Sequence, residues 1–87
     1  MKNVEWNQAI EKPISLLEAI MDDQTASKGL RREIEQIAYS LKDSSRSLDL
    51  KCSIAIAKLE VFSEDPNVPP RSRAAIWQII GDLSTLS

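Results

Sequence analysis

The sequence contains no histidine and a single cysteine, Cys52. A lone cysteine cannot close an internal disulfide. Without histidine, neither an ordinary Cys/His zinc site nor a Ser-His or Cys-His nucleophile pair can be assembled within one chain, and the commonest general base is missing. Glycine and aromatic residues are scarce: two Gly, two Trp, one Tyr and one Phe. So few glycines leave no glycine-rich phosphate loop, and no alternating run of β-branched or aromatic residues marks a strand. The longest apolar run falls far short of the roughly 20 residues that a membrane helix needs, and the amino-terminal MKNVEWNQAIEK has no signal-peptide core. Charge of one sign is also lacking. Eleven basic against 13 acidic residues leave a net charge of −2, which supplies no field for drawing in nucleic acid or an anionic membrane. These absences predict a soluble, cytoplasmic protein with no cofactor and no metal, for which enzymatic activity is the least favoured class.

What is present is helical periodicity in four blocks. The 87 residues make one domain, large enough for one core with a stability on the order of 4 to 13 kcal/mol. In the first block, from Val4 to Asp22, Trp6, Ile10, Ile14, Leu17, Ile20 and Met21 share a face. The stripe stays in phase across Pro13, which predicts one bent helix. The segment DDQTAS, residues 22–27, breaks it, with Ser27 placed to cap the next helix. Leu30, Ile34, Ile37, Ala38 and Leu41 then form an uninterrupted stripe. The connector DSSRS, residues 43–47, reads as a plain flexible link. From Leu48 to Ser63 apolar residues occupy almost the whole helix circumference, so this helix is expected to be the most buried, with Cys52 as a small hydrophobe on its core side.

Asp65, Pro66 and Asn67 make a turn, because Asx side chains bond their own backbone and the residue before proline leaves the helical region. Pro69 and Pro70 can only open a helix. Ile76, Ile79, Ile80 and Leu83 give it an apolar stripe, with Ser84 to Ser87 expected to fray. Gly81 inside this helix is expected to let a neighbouring helix approach closely.

A shift of 42 residues superposes the block from Ile14 on the block from Ile56 without a gap: Leu17 on Leu59, Asp23 on Asp65, Arg31 on Arg73, Ile34 on Ile76, Ile37 on Ile79, Leu41 on Leu83. The period lies in the range of helical-pair repeats. The second block resembles HEAT repeats distantly, through Asp65, Arg71 and Ala74, whereas Gly29 stands where the first block would need the arginine. Four short amphipathic helices bury their stripes together best as a closed bundle. The expected fold is therefore all-α, a four-helix bundle of two hairpins, about 4–42 and 48–84, related by the internal 42-residue repeat.

The segment LEVFSEDPNVPPRSRAAIWQIIGDL resembles the signature of small archaeal proteins grouped as Uncharacterised Protein Family 0147. Asp65, Pro66, Asn67, Pro69, Arg73, Ile76 and Trp77 carry the resemblance, while Val68 stands in place of a methionine and Pro70 departs from the pattern. The resemblance implies an archaeal, cytosolic four-helix bundle and implies no activity.

Candidate functional residues follow from the halves' differences. Arg71, Trp77 and the proline pair have no counterpart in the first block. Arg73 and Trp77 lie four apart on one helix face, where a guanidinium can lie over an indole. Two readings stand: Arg71, Arg73 and Trp77 form a patch for a protein partner or for self-association as a homodimer, or Trp77 covers an edge of the core near Trp6. The carboxylate pairs Asp22-Asp23 and Glu64-Asp65 read as structural turn and cap groups that complement helix amino ends and pair with arginines such as Arg73. Lys28, Arg31, Arg32, Arg71 and Arg73 cluster near two helix starts and support the alternative partner, a nucleic acid bound weakly through phosphates.

Overall fold

The structure, a computed structural model, describes the backbone of residues 2–86 and the side chains of residues 9–86. The first helix, α1 (Lys2–Met21), runs through Pro13 without interruption. Proline removes one backbone N–H there, yet Pro13 is itself buried, and Ile10, Leu17 and Ile20 bury the stripe on both sides of it. Tertiary packing thus outweighs the local propensity cost. Trp6 lies outside the described side chains. Helices α2 (Lys28–Lys42), α3 (Leu48–Ser63) and α4 (Pro70–Ser84) follow. On α2 the buried residues are Leu30, Ile34, Ile37, Ala38 and Leu41, the five predicted from spacing.

All three connectors use one device. The Oδ1 atoms of Asp23, Asp43 and Asp65 accept the backbone N–H two residues on, from Thr25, Ser45 and Asn67, each at 2.9 Å. Four positions after each aspartate stands the cap of the next helix: Ser27, Ser47 and Pro69. Ser27 and Ser47 accept the N–H of Leu30 and Leu50 at 3.1 and 3.3 Å. Pro69 has no such acceptor, but Pro70 in the first turn removes a donor that would have needed one. The middle segment DSSRS is therefore a built turn rather than the flexible link its composition suggests. The Ser45 hydroxyl also donates to Asp43 at 2.6 Å.

Connectors this short make sequential helices antiparallel neighbours. Helix α1 packs on α2 and α4, and α3 packs on α2 and α4, which closes a ring around one core. The resulting bundle measures 39 × 20 × 17 Å. The α1–α2 and α3–α4 connectors lie at one end together with the starts of α2 and α4, and the α2–α3 connector lies at the other.

Three expectations are corrected. Helix α3 is not the most buried: only Lys51, Cys52, Ala55, Leu59 and Ser63 are sealed, while Leu50 and Val61 are 50% and 69% exposed. A four-helix bundle buries one stripe of each helix, so an all-round apolar helix must leave its surplus facing out. Gly81 admits no neighbour, because a Cβ placed there meets nothing within 4 Å. The tail does not fray as far as Leu86: Ser84 closes α4, the Thr85 hydroxyl bonds the Asp82 carbonyl at 2.7 Å, and Leu86 packs against the core.

Candidate functional site

At the turn end of the bundle, Asp23 joins the two hairpins. Its Oδ1 accepts both the N–H and the hydroxyl of Thr25, at 2.9 and 2.6 Å, while Oδ2 faces the buried Ser72 hydroxyl of α4 at 3.4 Å. The Thr25 hydroxyl and amide hold the Asp23 carboxyl below its ordinary 3.8; desolvation opposes them, and Ser72 and Arg71 add to the lowering. Arg71 is exposed and lines, with Ala19, Ile20, Asp22 and Ala75, an open cavity of about 510 Å³ between the end of α1 and the start of α4. The structure thus brings Arg71 to the α1–α2 connector. Arg71 and Trp77 are six residues apart, so they leave α4 in directions roughly 120° apart. Arg73, four residues before Trp77, does share its side of the helix.

Trp77 is 55% exposed and does not close an edge of the core. Arg73 is half-buried with its Nε shielded from solvent, and Arg31, the residue 42 positions earlier, has its Nε in the same state. The turn carboxylates are occupied differently from the arginine pairing expected of them. Asp65 accepts from Asn67, and the ion pairs recorded among the described residues, Lys42–Glu18 at 3.8 Å and Arg46–Asp43 at 3.9 Å, lie elsewhere. Lys28, Arg31 and Arg32 line a shallow depression with Met21 and Glu35. The five cations proposed for a nucleic acid do gather at one end, since α2 and α4 start there, but Asp22, Asp23, Glu64 and Asp65 occupy the same end.

The outer face of the second hairpin carries the surplus apolar content of the third helix, from which the sequence already makes a dimer plausible. On α3, Leu50, Ile54, Ala57 and Val61 repeat at spacings of four, three and four, opposite the core residues Cys52, Ala55 and Leu59. Leu50, Ala57 and Val61 are exposed and Ile54 is half-buried. On α4, Pro70, Ala74, Trp77 and Gly81 repeat at the same spacings, and all four are exposed. Neither stripe contains a charge. The α3 stripe is legible in sequence as apolar content, but only the arrangement of the bundle tells which part of that content is surplus.

Among the described residues no group of three or more His, Cys, Asp or Glu could hold a metal ion. Cys52 is sealed in the core, where burial pushes its thiol up, against a smaller lowering by Lys51. Among the described residues no helix is long and apolar enough to cross a membrane.

Comparison with known proteins places this geometry. A model of the uncharacterised protein family UPF0147 matches residues 1–86. A UPF0147 protein of Pyrococcus horikoshii is 36% identical over 87 residues, covering 99% of this chain and 91% of the relative. Another, from Thermococcus kodakarensis, is 36% identical over 78 residues, covering 88% of this chain and 94% of its own length. The crystal structure of a UPF0147 protein from Thermoplasma acidophilum superposes with a TM-score of 0.86 at 30% identity, over 93% of this chain and 95% of that one. A second crystal structure, of a protein of unknown function, gives a TM-score of 0.83 at 30% identity, over 91% and 90% of the two chains. With the family model spanning nearly every residue and the four-helix fold shared, the chain belongs to the uncharacterised family UPF0147.

Proposed function

We propose that this protein is a non-catalytic helical interaction module of the archaeal cytoplasm, binding a protein surface through the outer face of its second hairpin. One observation carries the reading. Of the four large hydrophobic residues exposed among the described side chains, Leu50, Val61 and Trp77 lie on α3 and α4, and only Tyr39 lies on the first hairpin. Exposed apolar residues scattered singly need no explanation, whereas a cluster on two packed helices marks a contact surface. Trp77 is the anchor such a surface requires, with Arg73 on the same side of α4 and Arg71 toward the α1–α2 connector at its margin.

Binding of a nucleic acid by Lys28, Arg31, Arg32, Arg71 and Arg73 is the weaker reading. Four carboxylates share their end of the bundle, which offsets the positive charge a phosphate backbone would need there.

The test is capture from the source cell on immobilised protein, comparing the native chain with Trp77→Ala and with Tyr39→Ala. A protein retained by the native chain and by Tyr39→Ala, and lost from Trp77→Ala, fits the proposal. Retention unchanged by Trp77→Ala refutes the assignment of the face.

A further inference from the structure

We infer that the occupant of this face is a second copy of the same chain, paired two-fold through the outer sides of α3 and α4. The inference rests on the reading of that face as a binding surface and names its partner. The stripes Leu50-Ile54-Ala57-Val61 and Pro70-Ala74-Trp77-Gly81 are uncharged along their length, so nothing in them selects a charged foreign surface. An isologous contact lays such a face on its own image, which is apolar by construction. Lys58 stands on one side of the α3 stripe and Asp49 and Glu60 on the other, all three exposed, so the apolar stripe is bordered by charges of both signs.

A head-to-tail contact that seated the outer face of the first hairpin on that of the second would meet charge: the residues 42 positions before the α4 stripe are Lys28, Arg32, Glu35 and Tyr39, all exposed on α2, and Lys12 stands 42 before Ile54. Seating these four charges on an apolar surface would desolvate them. Laying the apolar face on its own image avoids that cost and closes at two copies.

A helix of 16 residues is about 24 Å long, and the bundle is 20 Å across its wider short axis. The face thus covers on the order of 500 Å² per copy, about 1,000 Å² for the pair, which is where specific interfaces begin.

Sedimentation equilibrium from micromolar to millimolar concentration tests the pairing on the full chain. The native protein is expected to shift from monomer to dimer across this range. Val61→Glu, at a position already 69% exposed in the single chain, is expected to weaken the dimer by about a hundredfold or more, because the two-fold axis buries the new charge twice. Ala57→Arg serves as a second variant, with circular dichroism confirming that both retain the native helix content. Tyr39→Glu, on the opposite hairpin, is expected to leave the equilibrium unchanged. A native protein that stays monomeric throughout overturns the inference, as does a dimer that survives both Val61→Glu and Ala57→Arg or is dissociated by Tyr39→Glu. A monomeric native chain that still loses a captured protein on Trp77→Ala would remove the second copy as occupant and keep the face.

Discussion

Leu17 on α1 and Leu59 on α3 stand 42 positions apart, and both are sealed from solvent, as are Ile34 and Ile76, Ile37 and Ile79, and Leu41 and Leu83 on α2 and α4. On the outward side the same register pairs Lys28 with Pro70, Arg32 with Ala74 and Glu35 with Trp77, every one of them exposed. At these positions the two hairpins are alike in the core and unlike toward solvent. A core position tolerates little change of volume or polarity, since a lost methylene or an unpaired polar group costs about 1 kcal/mol or more. An exposed helix position is nearly neutral toward stability. The change from charged to apolar at these outward positions is therefore not required by folding, and it fits the contact surface proposed above.

The equality of the two cores can be broken most severely at the leucine pair. Leu17→Ala and Leu59→Ala are each expected to cost about 2–5 kcal/mol, a large part of a stability that is on the order of 4 to 13 kcal/mol. Both residues are fully buried, so both costs should fall in this range, their difference reporting how far each site collapses around the cavity. Urea denaturation of dilute protein gives both values. A Leu17→Ala variant that costs far less than Leu59→Ala would show that the first hairpin contributes less to the common core.

A smaller effect sharpens the outer contrast. Gly81 sits on the exposed side of α4, and a methyl group at this position would have no neighbour within 4 Å, so Gly81→Ala should stabilise by about 0.5–1 kcal/mol through helix propensity alone. At Gly29, in the first turn of α2, the new methyl would lie 4.0 Å from the Ser27 Oγ, and fewer helical bonds depend on that turn, so the gain should be less. Thermal melts of both variants at low concentration measure the difference. No gain at Gly81 would mean that the glycine is kept for a role in the folded chain that its open surroundings do not display.

How much of this can be read from residues alone divides along a physical line. Helix α2 is legible to the residue, because a helix with one apolar stripe and charges elsewhere has one way to face a core. Helix α3 is not, because it is apolar all round and periodicity carries no information about which side is buried. Its core side, Cys52, Ala55 and Leu59, is set by the neighbours α2 and α4. Asp23 and Asp65 are recognisable as turn residues, whereas Asp43, in a segment of small polar residues, does the same work unannounced. For Arg71 the sequence shows that it has no counterpart, but its direction depends on where the α1–α2 connector lies, a fact of tertiary packing. Trp77 stands out by its pairing with Glu35 in the 42-residue register, and its exposure tells against its covering an edge of the core.

The smallest expected effect concerns the connectors. The Asp23 carboxyl is held below its ordinary 3.8 chiefly by the Thr25 hydroxyl and amide, and the Asp43 carboxyl likewise by Ser45. A folded value below the unfolded one means that the unfolded chain binds more protons in the acid range, so stability rises with pH there. The contribution is complete above the unfolded value near 3.8 and is lost as pH falls through the folded one. Stability should therefore be flat from neutrality down to about pH 5 and decline below about pH 4. Both carboxyls are solvent-accessible, so each effect is modest. Asp23→Asn and Asp43→Asn keep an Oδ1 acceptor for the turn while deleting the charge, so each should lower the neutral-pH melting temperature slightly and flatten the acid decline. Asp23 also meets the buried Ser72 of α4, across the junction of the hairpins, whereas Asp43 bonds within its own connector. Asp23→Asn should accordingly be the larger of the two, and equal effects would mean that the contact with Ser72 contributes nothing to holding the hairpins together.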